Sequence, residues 1–132
     1  MGTSDKSFMP FAMDASGGKI YLIGSVKQYQ IYSILIITPF NNSGTATMSL
    51  LNTGYGASIN PGLKIISGNK IAGKFYYKVD EDKKVMNIYY KAPGINAGPL
   101  DILISFYNSK GTVKYSEYDG STEDMTEIVL TD

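Results

Sequence analysis

Residues 73–93 show the clearest alternation of apolar and polar positions in the chain, which predicts a β-hairpin. Apolar side chains recur at every second position along its two strands: Phe75, Tyr77, Val79, Met86, Ile88 and Tyr90. A polar run, residues 80–83, separates the strands. Such alternation of aromatic and β-branched residues is typical of strands. We expect Phe75 to lie opposite Ile88. The same register pairs Tyr77 with Met86 and leaves one continuous apolar face to be buried.

Shorter alternating or apolar segments extend this pattern over most of the chain. The other predicted strands are residues 19–26, 30–38, 45–51, 63–67, 100–107, 112–118 and 125–130. Turn signals recur about every 8–12 residues, and no segment has convincing helical periodicity. About nine strands at this spacing predict an all-β fold, an antiparallel β-sandwich or jelly roll.

The first 18 residues differ in composition from the rest of the chain. A chain of 132 residues corresponds to one domain. We predict a β-sandwich domain over residues 19–132, preceded by an N-terminal arm, residues 1–18. The arm mixes small polar residues with an apolar patch that contains Phe8 and Phe11. We expect this patch to dock on its own domain or on a neighbouring subunit.

Composition and charge exclude several classes of partner. All 12 basic residues are lysine, and the absence of arginine argues against nucleic-acid recognition. The longest apolar run, residues 34–37, is far too short to span a bilayer, so no membrane insertion is expected. Lysines concentrate in residues 64–91 and acids in residues 117–132. These segments form two solvated faces, or attract each other or a neighbouring subunit.

The chain lacks the residues that do most general-base and nucleophilic chemistry, since it has no histidine and no cysteine. We therefore predict a protein that is not an enzyme and that has no catalytic residues. A glycosidase pair of Asp101 and Glu117 has no further support in the sequence. Three acids between the hairpin strands have the oxygen ligands that calcium takes: Asp80, Glu81 and Asp82. A polar turn explains them better, since turns favour Asp, so we expect no metal and no cofactor.

Tyrosine is unusually frequent, with 11 copies against no tryptophan. Most strand tyrosines belong to the core or to a sheet face. Tyr55, Tyr107 and Tyr118 lie in or beside predicted loops, where exposed rings would suit stacking on sugars or contact with a protein. We take these three as candidate binding residues; the alternative for each is ordinary loop packing.

The hairpin and its flanks resemble a known group of proteins. KFYYKVDEDKKVMNIYYKAP, a Pro/Gly loop and PLDILISF follow one another, and GKIYLIGSV and YSILIIT match the earlier strands. This order is similar to the C-terminal β-sandwich head domains of bacteriophage tail fibre and neck appendage proteins, and to related capsid decoration or head-fibre proteins. The resemblance covers residues 19–107 as a pattern of strands. It implies a tumour-necrosis-factor-like jelly roll, often trimeric, and transfers no individual binding residue.

The strand at residues 30–38 has apolar side chains on both faces, whereas a sandwich core covers only one. A loop, the arm or a neighbouring subunit must cover the other face. Together with the resemblance, this predicts a homotrimer. Its expected interface residues are Phe8, Phe11, Tyr32, Ile34 and Ile36.

The expected function is that of a non-enzymatic structural protein on the surface of a bacteriophage virion, assembled in the host cytoplasm. It would belong to a tail fibre or appendage and bind a host-surface glycan or protein beside other virion proteins. Two alternatives stay open: a capsid decoration or head-fibre protein that docks on the capsid, and a carbohydrate-binding module of cellular origin.

Overall fold

Alternating apolar side chains bring two antiparallel sheets face to face. The computed structural model describes residues 11–15, 18–30, 33–40, 45–68, 71, 73–92, 100–107 and 116–131, with the backbone alone for 11–15, 33, 37–40, 45–46 and 100–107. Ten strands lie in these ranges: β1 (Phe11–Ala15), β2 (Ile20–Lys27), β3 (Ser33–Phe40), β4 (Thr45–Asn52), β5 (Gly62–Ser67), β6 (Lys74–Asp80), β7 (Val85–Lys91), β8 (Leu100–Tyr107), β9 (Ser116–Tyr118) and β10 (Thr126–Ile128).

The strands form two sheets of five. The first has the order β1-β8-β3-β4-β5, and the second has the order β10-β6-β7-β2-β9. Every pairing between these strands is antiparallel. Both sheets contribute to one core, whose members are Tyr21, Ile23, Val26, Ile34, Ile36, Leu51, Tyr55, Leu63, Phe75, Met86, Ile88, Tyr90, Ala92 and Ile128. The prediction of an all-β antiparallel sandwich is confirmed, and the described part of the chain contains no helix.

Strands from the two ends of the chain are interleaved. β8 lies between β1 and β3 in the first sheet, and β2 lies between β7 and β9 in the second. The chain changes sheet from β1 to β2, from β2 to β3, from β5 to β6, and again on either side of β8. This winding is jelly-roll-like, whereas β3-β4-β5 and β6-β7 are local antiparallel neighbours.

The predicted hairpin is present as β6 and β7, but its register differs from the prediction by two residues. Phe75 lies opposite Tyr90, not opposite Ile88. Four residues, 81–84, connect the strands. The Asp80 carboxylate accepts hydrogen bonds from the backbone of Asp82 and Lys83 at 3.1 and 3.2 Å, which fixes this longer turn. An even shift keeps every side chain on its predicted face.

The predicted subunit interface is wrong for two residues of strand β3. The side chains of Ile34 and Ile36 are completely buried in the core between the sheets. They therefore offer no surface to a neighbouring subunit, and their face is the inward face of the strand. Phe8 and Tyr32 lie outside the described residues, so the structure says nothing about their part in an interface.

Five residues of the predicted arm form a strand of this same domain. β1 pairs with β8, with Phe11 opposite Ile104 and Ala15 opposite Leu100. The prediction had no strand there, because the segment is flanked by small polar residues and lacks clear alternation. The predicted strand at residues 112–118 is described only at its end, as β9.

The residues after β10 cover the outer edge of β5. Leu130 forms a parallel bridge with Leu63, and the Thr131 N–H donates to the Leu63 carbonyl at 2.8 Å. A free strand edge is a template for pairing with other chains. The last described residues thus join the edge of one sheet to the edge strand of the other.

Candidate functional site

Three connections meet at one end of the sandwich. They are the turn after β2, the loop between β4 and β5, and the turn between β6 and β7. The Gln28 N–H donates to the Lys84 carbonyl at 3.0 Å, and the Gln28 side-chain amide donates to the Gly56 carbonyl at 3.0 Å. A single glutamine therefore links the turn after β2 to both of the other connections.

The loop between β4 and β5 is held closed by its own backbone. The Asn60 N–H donates to the Gly54 carbonyl at 2.9 Å, and the Gly56 N–H donates to the Ser58 carbonyl at 3.0 Å. Gly54 has φ of +57°, and a Cβ there would overlap the Asn60 carbonyl. Only glycine fits this left-handed, closely approached position without distortion. The loop is thus a compact structure closed by its own backbone hydrogen bonds.

Tyr29 projects its ring into solvent from the turn after β2. Its φ of 69° lies in the left-handed region, which non-glycine residues rarely adopt. Its N–H donates to the Tyr55 carbonyl at 2.7 Å, and the next N–H, of Gln30, donates to the Lys27 carbonyl at 3.2 Å. The residue is 70% exposed. Two backbone hydrogen bonds therefore hold an aromatic ring outward at this end of the sandwich.

A groove of about 500 Å³ lies between the Tyr29 turn and the β4–β5 loop, and we call it the end groove. Its lining residues are Tyr29, Gln30, Asn52, Thr53, Gly54, Tyr55, Gly56, Ala57, Ser58 and Asn60. Most of the lining surface is apolar, amide and hydroxyl groups supply the rest, and none of these described residues carries a charge. An aromatic ring beside neutral polar groups is suited to an uncharged polar ligand.

Thr53 lines the end groove from the core side. It is 1% exposed, and its Oγ1 has no hydrogen-bond partner among the described residues. The Oγ of Ser49 is also buried and also has no hydrogen-bond partner among the described residues. Ser49 lies inside β4, before Thr53 in the chain and away from the groove. A buried hydroxyl without a partner carries a free-energy cost of about 1–3 kcal/mol. These two hydroxyls are therefore exceptions that need an explanation.

The predicted binding tyrosines do not form one site. Tyr55 lines the end groove but is only 6% exposed, because its side chain packs in the core. Tyr107 lies opposite Ser33, at the same end of the sandwich, and its side chain is outside the described set. Tyr118 pairs with Ile20, where β2 begins, and thus lies at the opposite end.

Tyr118 packs against the sheet rather than standing free. Its ring centroid is 5.0 Å from that of Tyr89, at an interplanar angle of 59°. Tyr118 is the last residue of β9 and is half-buried, so it is a packed strand residue and not an exposed loop ring. The exposed ring that sequence reasoning missed is Tyr29. The one signal for it was an aromatic residue between two glutamines in a short connection.

The described residues that line the end groove carry no charge, and two ion pairs lie along β6. Lys78 contacts Asp124 at 2.5 Å and Lys74 contacts Glu127 at 4.0 Å, so β6 is tied to β10 and the turn before it. The lysine-rich and acidic segments thus meet within one chain, as one of the alternatives predicted. The hydrogen bond from Lys78 lowers the pKa of the Asp124 carboxyl and raises the pKa of Lys78.

Two further observations concern ligands and membranes. Within the described ranges, no three acidic, histidine or cysteine residues are grouped as metal ligands would be. The Asp80 carboxylate of the acidic turn already accepts the hydrogen bonds of its own loop. In the same part of the chain, no helix has the length and apolar character needed to cross a bilayer.

The fold and the end groove define a β-sandwich protein with an uncharged groove and an exposed aromatic ring at one end. No family model matches the chain, and no curated protein matches its sequence. Among solved structures, it is similar to WceF of Pantoea stewartii, described as a glycan biofilm modifying enzyme with a bacteriophage tailspike-like parallel β-helix fold. The two chains are 9% identical with a TM-score of 0.60, over 91% of this chain and 22% of WceF.

At this identity the likeness concerns the fold alone. The chain spans about a fifth of the length of WceF, so the match is to a part of that protein. Both sheets of this chain are antiparallel, and the parallel β-helix of WceF is not carried over to it.

Proposed function

We propose that this protein is a non-enzymatic β-sandwich module of a bacteriophage surface protein, of the tail fibre or appendage type. In this proposal it binds a host-surface glycan in the end groove. The sequence resemblance to phage head domains supports the setting, and so does the fold likeness to part of a tailspike-like protein that is described as acting on a glycan. The single observation that carries the binding role is the exposed, conformationally strained Tyr29.

Tyr29 combines two features that cost free energy. A non-glycine residue held in a sparsely populated backbone region costs about 1–3 kcal/mol. The ring also gains little from burial, because the residue is 70% exposed. Strain of this kind persists where the surrounding structure enforces it, and it clusters at functional sites. Here the hydrogen bond to the Tyr55 carbonyl enforces it.

The end groove supplies the remaining contacts that a sugar needs. A tyrosine ring is an apolar surface with one polar tip, which suits the C–H face of a pyranose. Asn60 and Ser58 offer amide and hydroxyl groups at the other side of the groove. Such groups donate and accept hydrogen bonds, as sugar hydroxyls do. Stacking on one side and hydrogen bonding on the other would orient the ligand.

Substitution at Tyr29 tests the proposal. Tyr29→Asn removes the ring but suits the left-handed backbone, so it should abolish glycan binding while leaving the unfolding free energy equal or higher. Tyr29→Phe keeps the stacking surface and should bind nearly as wild type. Tyr118→Ala, at the far end, is the control for a lost tyrosine. Binding would be measured on an array of bacterial surface polysaccharides. Equal glycan binding by Tyr29→Asn and wild type would overturn the proposal.

The proposed setting is the virion surface, with a homotrimer and other virion proteins as partners. With Ile34 and Ile36 buried in the core, such a trimer needs another contact surface. Light scattering at tens of micromolar would decide between a trimer and a monomer. A monomer would instead favour the carbohydrate-binding module of cellular origin, which uses the same groove without the virion setting.

A further inference from the structure

We infer that the outer face of the first sheet is the contact between copies of this chain, with the β1 edge of one copy beside the β5 edge of the next in a ring of three. This inference rests on the proposed homotrimer. It goes beyond that proposal because it names the contact surface, and it does not depend on glycan binding in the end groove.

The outer face of the first sheet is apolar over three neighbouring strands. Ile36 is buried in the core, so the residues on either side of it, Leu35 and Ile37, lie on the outward face of β3. Their partners in the adjacent strands are also apolar: Leu50, Met48 and Leu103. The described side chains of this set, those of Leu35, Met48 and Leu50, are only half-buried in a single chain. An apolar patch of this kind indicates a contact with another molecule.

The two sides of this face carry opposite charges. Asp14 of β1 lies opposite Asp101 of β8, on the same face as Leu103, and like charges directly opposite each other are destabilising. On the other side of the sheet, Lys64 of β5 lies opposite Leu50, is exposed and makes no ion pair within the described residues. A neighbouring copy that brings its Lys64 to the acidic side would offset this repulsion. One face therefore contains both a charged edge and its complement, which favours a second copy as the occupant.

The β5 edge also exposes apolar side chains. Ile66 is the extra residue of a β-bulge between β4 and β5, and it is 56% exposed. Leu130, which bridges to Leu63 at this edge, is 51% exposed. A bulge and a covering segment both hinder the addition of a further strand. This edge is therefore suited to side-chain packing against the β1 edge of the next copy.

The width of the sheet suits three copies. Five strands about 4.8 Å apart make a face about 24 Å wide. Three such faces closed around an axis stand about 7 Å from it, close to the roughly 5 Å that side chains fill in front of a sheet, whereas four would stand about 12 Å away and leave a channel. With strands of up to eight residues, the face covers about 600 Å², comparable with the roughly 800 Å² that each partner contributes to a standard interface.

Charge reversal tests the contact between the edges without altering the core. Lys64→Glu should raise the dissociation constant of the trimer about tenfold, because it places a third acid beside Asp14 and Asp101 of the next copy. Asp14→Lys should weaken the trimer as well, since it would lie beside Lys64. The double variant exchanges the two signs and should restore wild-type assembly. Lys83→Glu makes the same change in the exposed turn of the other sheet and should leave assembly unchanged.

Leu35→Lys tests the apolar part of the face. The variant should be monomeric at tens of micromolar by light scattering and sedimentation, because a buried contact between copies does not accept an unpaired charge. It should keep the wild-type far-ultraviolet circular dichroism spectrum, since position 35 lies outside the core of the single chain. Val85→Lys is the matched control, because Val85 is a half-buried residue on the outer face of the second sheet. It should remain a trimer.

The outcomes separate this contact from the proposals beside it. A trimer that survives both Leu35→Lys and Lys64→Glu would overturn the inference and leave the homotrimer in place. Failure of the double charge exchange to restore assembly would overturn the pairing of the two edges, and a wild-type dimer would overturn the ring of three. A wild-type monomer would overturn both the homotrimer and this contact, with residues 1–10 or another protein left to cover the face. Tyr29-dependent glycan binding would stand in each case.

Discussion

Two glycines in one loop offer a matched test of how the end groove is built. Gly54 has a left-handed backbone, and a Cβ there would overlap the Asn60 carbonyl. Gly56, two positions on, has open space where its Cβ would be, and its φ is not positive. Gly54→Ala should therefore strain the loop, whereas Gly56→Ala should be tolerated. The two variants change the same atoms, so their difference isolates the geometry at Gly54.

The expected cost of Gly54→Ala has two parts. A left-handed conformation costs an alanine about 1–2 kcal/mol. The overlap also pushes the backbone at residue 54 away from the backbone at Asn60. This weakens the 2.9 Å hydrogen bond from the Asn60 N–H to the carbonyl of residue 54, which is worth about 0.5–1.5 kcal/mol. The sum is about 1.5–3.5 kcal/mol. Gly56→Ala should change the unfolding free energy by less than about 0.5 kcal/mol, as surface substitutions usually do.

Urea denaturation followed by far-ultraviolet circular dichroism measures both variants, since the chain has no tryptophan to report by fluorescence. The Gly54→Ala midpoint should fall with an unchanged m value, because the folded core is the same. The variant should also lose glycan binding, because the Tyr29 N–H is hydrogen-bonded to the carbonyl of Tyr55, the residue next to Gly54. Equal unfolding free energies for the two variants would refute this account of the loop.

Three further predictions concern the core and its charges. Phe75→Ala should cost about 3–5 kcal/mol in urea denaturation, because Phe75 is 1% exposed and its ring centroid lies 4.9 Å from that of Tyr90. Tyr76→Ala, on the outer face of β6, should cost much less; an equal loss would contradict the burial of Phe75. Burial raises the pKa of the Tyr90 hydroxyl in the folded protein. Above about pH 10 this tyrosine ionises in the unfolded chain but not in the folded one, so the unfolding free energy should fall there. Tyr90→Phe should flatten that loss, and an unchanged slope would contradict it. The hydrogen bond from Lys78 lowers the pKa of Asp124 in the folded protein. The Lys78–Asp124 pair therefore stabilises the fold above the ordinary carboxyl pKa of about 4, and this contribution is lost as the pH falls through the lowered pKa. Asp124→Asn should therefore reduce the difference in urea midpoint between about pH 7 and about pH 3, and an undiminished difference would count against the pair.

The hairpin shows what alternation predicts and what it leaves undetermined. The period-two pattern placed Phe75 and Ile88 on the same apolar face, and both are buried there. It did not set the register, because shifts by two residues leave the faces unchanged. The turn decided the register, through the Asp80 carboxylate and a left-handed Lys84 with φ of 55°. Lysine has no marked preference for that conformation, so the residue type alone does not reveal it.

The candidate site was harder to predict for a related reason. Sequence reasoning selected Tyr55 because it lies in a long polar loop, but the closed loop directs that side chain into the core. Tyr29 lies in a short connection between two predicted strands, where the sequence does not show which way its ring points. Likewise, alternation separated the two faces of β3 but did not show that Ile34 and Ile36 face inward. Each of these outcomes depends on contacts between segments that are distant in the chain.

The interleaving of early and late strands has a consequence for biosynthesis. Among the described strands, β2 pairs with β7 and β9, and β1 pairs with β8, so these two strands leave the ribosome long before their partners are made. At about 5–20 residues per second, that wait lasts several seconds. Non-local pairing of this kind also makes folding slow, on the order of milliseconds to seconds. Until β8 emerges, β3 has an open edge that can pair with other nascent chains. A chain truncated before β8 should therefore aggregate rather than accumulate as a folded half.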